Sequence, residues 1–157
     1  MAYKVLNNIS LKDVTSSGLS KLKTDLLVLV INKNTKSDSS FKEINKISKN
    51  YISKTISSHL KDAGSNVLLP KIDGIAAANI LLVNGLDSSA PTHKWLSMYQ
   101  SIAHKGNSLK CKDMSIMPGN TCPTKKDEFW LIEMVAKTIE SNVYIFSETK
   151  NKTASKP

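Results

Sequence analysis

Six consecutive apolar residues, Leu26-Leu-Val-Leu-Val-Ile31, run between Asp25 and Asn32 with no polar alternation. A run this short cannot span a bilayer. Its β-branched residues and polar flanks predict a strand and not a buried helix. A strand apolar on both faces needs cover on both sides, as in the interior of an α/β sheet. A second run, Asn79-Ile-Leu-Leu-Val83, has the same character. The chain is therefore expected to bury at least two strands between helical layers.

At 157 residues the chain is long enough for one domain with a real core. Its first residues lack the apolar stretch of a signal peptide, and no segment is long enough for a membrane span. Two cysteines, Cys111 and Cys122, fit a reducing cytoplasm better than a disulfide scaffold. The net charge is +9, and all 22 basic residues are lysine. Lysine attracts phosphate as a point charge but lacks the planar fork that reads guanine or clamps a carboxylate. Such a surface supports sequence-blind contact with polyanions at most, and a solvated lysine-rich surface is the simpler explanation.

Taken in order, Tyr3–Leu6 and Ile9–Leu11 read as an edge strand or hairpin, and 14–23 as a loop. After the buried strand and a polar loop, Ser40 and Glu43 have capping-box spacing. Phe41, Ile44, Ile47, Tyr51, Ile52, Ile56 and Leu60 then recur every few residues, predicting one helix stopped by Gly64. Lys42, Lys46 and Lys49 line its opposite face. They form either a solvated outer face or a stripe that tracks phosphates. Asn66–Leu69 reads as a short strand, Lys71–Gly74 as a turn, and Asn84-Gly85 as a positive-φ turn. Pro91 suits a first helical position, with Trp95, Met98, Tyr99 and Ile102 as the apolar face and Gly106 as the end. Met114–Met117 reads as a strand. Thr124 is a predicted N-cap. Phe129, Ile132, Ala136, Ile139, Val143 and Phe146 follow at spacings of 3, 4, 3, 4 and 3, predicting one long core-facing helix. The alternative is a helix ending near Asn142 followed by a strand over Val143–Phe146. Residues 149–157 read as a linker or tail after a domain spanning 1–148. Alternating strands and helical stripes predict a three-layer α/β/α fold.

No catalytic constellation stands out. His59, His93 and His104 have no ligand-spaced partners, and the cysteines lack zinc-site spacing. Asp127, Glu128 and Glu133 crowd a helix start, where acids favour the helix dipole.

Several stretches in this order resemble the N-terminal domain of the leucyl (cytosol) aminopeptidases. Thr24–Ile31 is similar to that domain's first buried strand. Ile47–Lys54 is similar to the family's "ISDGYIS" helix, and Ile80–Val83 to its "ILLVG" strand. Phe129-Trp130, with Val143–Phe146 and Lys150, is similar to its aromatic-Trp start and "LYSFDQLK" end. The likeness covers about residues 20 to 152. Asn84-Gly85-Leu86-Asp87 stands where the family often has Gly-Leu-Gly.

The resemblance implies a mixed-sheet fold similar to macro domains, which bind ADP-ribose. It implies a cytoplasmic homohexameric exopeptidase that uses two zinc or manganese ions. The metal motifs, "NTDAEGRLVL" and "FDSGG", belong to a C-terminal catalytic domain of the same polypeptide and are not in this sequence. No catalytic or metal residue is carried over. The chain is expected to be a non-catalytic accessory domain, inactive alone, with no cofactor of its own. Some family members use the domain in DNA binding; the candidate contacts here, read from their helical spacing, are Lys42, Lys46 and Lys49. The alternative expectation is a free-standing macro-like module for nucleic acid or ADP-ribose.

Overall fold

A computed structural model of the chain describes residues 18–32, 39–118 and 121–140. The expected N-terminal edge strand or hairpin, the Val143–Phe146 stretch and the tail at 149–157 lie outside these residues.

The buried run forms β1 (Leu26–Ile31), every residue of which is buried. It lies inside a four-stranded sheet of order β2-β3-β1-β4. The partners are β2 (Asn66–Leu69), β3 (Asn79–Asn84) and β4 (Met114–Met117). β3 runs parallel to β1 from Leu26 opposite Asn79 to Ile31 opposite Asn84. β4 is also parallel to β1, and β2 closes the other edge antiparallel to β3. The sheet is therefore mixed, as expected.

Side chains alternate across β1 and divide the core in two. Leu27, Leu29 and Ile31, with Ile80 and Leu82 of β3, pack against Phe41, Ile44, Ile52 and Ile56. Those four lie on α2 (Ser39–Ile47) and α3 (Tyr51–His59). Leu26, Val28 and Val30, with Leu81 and Val83, pack against Trp95, Met98, Tyr99 and Ile102 of α4 (Thr92–Ser108). Leu131, Met134 and Ile139 join that side from α5, residues 128–140. This is the three-layer α/β/α arrangement. Each fully buried Leu, Ile or Val stabilises it by about 1.5–3 kcal/mol relative to exposure. A short helix, α1 (Gly18–Lys21), interrupts the expected loop before β1.

Several local expectations are corrected. The stripe from Phe41 to Leu60 is two helices, not one. Lys49 and Asn50 adopt φ of 57° and 65°, and the Asn50 N–H donates to the Asn45 carbonyl at 2.9 Å. The Lys49 N–H donates to the Lys46 carbonyl at 3.0 Å, completing a Schellman stop with lysine where glycine is usual. The next helix restarts on side chains of the first. Asn45 Oδ1 accepts from the Ser53 N–H at 3.1 Å, and Ser48 Oγ from the Ile52 N–H at 3.4 Å. Tyr51, expected in the stripe, is 48% exposed because the break turns it outward. The elbow packs on the turn before β3. A Cβ on Gly74, at φ 89°, would lie 2.7 Å from Ile47 Cγ2.

α3 ends at His59, and Gly64 instead donates its N–H to the Asn84 carbonyl at 2.8 Å. Pro91 precedes α4 as an extended N-cap, and Gly106 is buried within the helix and does not end it. Asp127, not Thr124, caps α5: its Oδ1 accepts from the Trp130 N–H at 2.8 Å. Thr124 Oγ1 donates to the Ser88 carbonyl.

The largest correction concerns the core-facing side of α5. Phe129 is 82% exposed, while Leu131, Met134 and Thr138 are buried. At 3.6 residues per turn, Phe129, Ile132 and Ala136 lie almost opposite Leu131, Met134 and Thr138. The core takes Leu131, Met134 and Thr138 together with Ile139, a member of the expected stripe that is buried as expected, while Ile132 and Ala136 are half-buried and Phe129 is outside.

Candidate functional site

The strand order places a topological switch point at the carboxyl ends of β1 and β3. The helices that follow β1 cover one face of the sheet, and the helix that follows β3 covers the other. Adjacent parallel strands whose connections leave to opposite faces open a cleft at their carboxyl ends, where α/β domains bind ligands. Asn32, Asn84, Gly85 and Thr121 lie at these strand ends. Asn32 Nδ2 donates to Thr121 Oγ1 at 2.6 Å, tying the end of β1 to the segment beyond β4. The Gly85 N–H donates to the Ile31 carbonyl at 2.7 Å. Gly85 has no positive φ, contrary to expectation. Close approach is what requires glycine here: a Cβ would lie 3.1 Å from the Ile31 oxygen and 3.3 Å from Asn32 Cβ. Sequence reading missed the Asn32–Thr121 pair because its members are 89 residues apart.

The opposite end of the sheet has an open depression lined by Lys23, Thr24, Asp25, Lys71 and Asp113. Its two carboxylates are occupied by backbone. Asp113 Oδ1 accepts from the Asp25 N–H at 2.6 Å, and Asp25 Oδ2 accepts from the Lys112 N–H at 2.8 Å. Lys71 Nζ donates to the Ile75 and Ala77 carbonyls. The arrangement fastens the start of edge strand β4 to the start of β1. Both acids thus act as latches between strands.

The lysines singled out from the sequence do not form one helical line. Lys42 and Lys46 are exposed on α2, whereas Lys49 is exposed in the elbow beyond it. The first amides of α3, which could receive a phosphate, already bond to Asn45 and Ser48. His59, His93 and His104 are all exposed, and His59 Nδ1 lies 2.9 Å from Ser58 Oγ. Among the described residues no group of three or more His, Cys, Asp or Glu side chains is placed to hold a metal ion.

The cysteines are free. Burial first, then the charges of Asp25 and Asp113, pushes the Cys111 thiol up. Burial, then Glu128 and Asp127, does the same to Cys122. Both shifts favour the unreactive thiol over the thiolate. Tyr99 is also pushed up from its ordinary value, by burial and then by Cys122. Its hydroxyl and the Trp95 indole N–H are buried with no hydrogen-bond partner among the described residues. At the head of α5, Lys126 Nζ lies 5.5 Å from the centre of the Trp130 ring, a cation–π contact beside exposed Phe129.

Fold and geometry together define a three-layer α/β domain with a mixed sheet. Compared with known proteins, the chain matches no family model, and no curated protein matches it in sequence. No helix among the described residues is long and apolar enough to cross a membrane.

Proposed function

We propose that this chain is the non-catalytic N-terminal accessory domain of a leucyl aminopeptidase, a cytoplasmic two-metal exopeptidase. What supports this reading is the placement of three stretches that resemble that family. Thr24–Ile31 and Ile80–Val83 fall on β1 and β3, which lie side by side in parallel register. Ile47–Lys54 forms the elbow between α2 and α3, and its Ile52 packs on the same face of those strands. The three stretches thus make one contiguous part of the core. The closing-helix match adds less support, because Phe129 at its head is on the surface. In this reading a catalytic domain of the same polypeptide carries the zinc or manganese and the peptide chemistry. This domain contributes to hexamer assembly and access, and no step of the reaction is assigned to its residues.

The test is the coding sequence after the Pro157 codon, followed by assay. The 157-residue chain with Mn²⁺ or Zn²⁺ is expected to leave leucine p-nitroanilide uncleaved. The longer polypeptide, carrying the two-metal motifs, is expected to cleave it. A stop codon directly after Pro157 overturns the proposal.

The switch point between parallel β1 and β3, whose following helices cover opposite faces of the sheet, supports a second reading, a free-standing macro-like binding module. Titration calorimetry with ADP-ribose tests it, and micromolar affinity would support it over the first. If nucleic acid is the ligand, Lys42, Lys46 and Lys49 are its candidate contacts. All-lysine contact makes binding indifferent to sequence and steeply weakened by salt.

A further inference from the structure

We draw no further inference here: the strongest candidate, the apolar row of α5 formed by exposed Phe129 and half-buried Ile132 and Ala136, is a helix face without a partner among the described residues, and nothing in the structure shows what covers it.

Discussion

Exchanging Leu131 and Phe129 for alanine, one at a time, tests which row of α5 holds the core. Leu131 is 1% exposed and packs among residues of β1, β3 and α4. Truncating a buried leucine costs about 2–5 kcal/mol through lost transfer energy and the cavity left behind. A domain of this kind is stable by about 5–15 kcal/mol, so the loss is large but need not unfold it. With a urea slope of about 2 kcal/mol/M, a loss of about 3 kcal/mol lowers the midpoint by about 1.5 M. Phe129 is 82% exposed. Full burial of such a side chain is worth about 1.5–3 kcal/mol, so the fifth that is covered contributes about 0.3–0.6 kcal/mol. Alanine's higher helix propensity returns about 0.5 kcal/mol. Phe129→Ala should therefore move the midpoint by less than about 0.3 M, following the same slope. Urea melts followed by far-UV circular dichroism compare the two directly. If Phe129→Ala destabilises as much as Leu131→Ala, the row beginning at Phe129 faces the core and the assignment of α5 is wrong.

Three further outcomes are expected. Tyr99→Phe removes a buried hydroxyl with no partner among the described residues, so stability should hold or rise by about 1 kcal/mol. Because burial raises the Tyr99 pKa in the fold, its contribution is complete below the unfolded value near 10 and is lost as pH rises above it. Urea melts between pH 8 and pH 11 should show the wild type losing ground to Tyr99→Phe above about pH 10; a constant difference refutes the burial argument. Asp113→Ala removes the acceptor of the 2.6 Å bond from the Asp25 N–H. A loss of about 1 kcal/mol is expected, with faster hydrogen exchange at the Asp25 amide; unchanged exchange would mean the latch is not formed. Lys49→Gly relieves a left-handed lysine at the elbow and should stabilise by up to about 1 kcal/mol in thermal melts, whereas a loss would show that the lysine side chain holds the elbow.

The interior of this fold is legible in the residues because burial leaves a local mark. β1 and β3 read as buried strands since both of their faces are apolar, and the core face of α4, though not its ends, reads correctly since Trp95, Met98, Tyr99 and Ile102 form a single row. The three-layer arrangement follows once two such strands need cover on both sides; the antiparallel edge strand that makes the sheet mixed does not. The elbow at Lys49 and Asn50 left no such mark. It has no glycine or proline, and the apolar spacing from Phe41 to Leu60 nearly fits one helix. The break depends on Asn45 and Ser48 closing the next helix and on Ile47 fitting against Gly74, contacts that exist only after the chain has folded.

The same distinction governs α5 and the strand ends. Spacing establishes that α5 carries apolar rows, but it cannot rank two rows on nearly opposite sides of one helix. Packing against the second core decides in favour of Leu131 and Met134 and leaves Phe129 outside. The bonds that join the strand ends, Asn32 to Thr121 and Asp25 to Asp113, link residues 89 and 88 apart. Periodicity reports on neighbours within a turn or a pleat; pairings at that separation arise only when strand order brings the ends of β1 and β4 together.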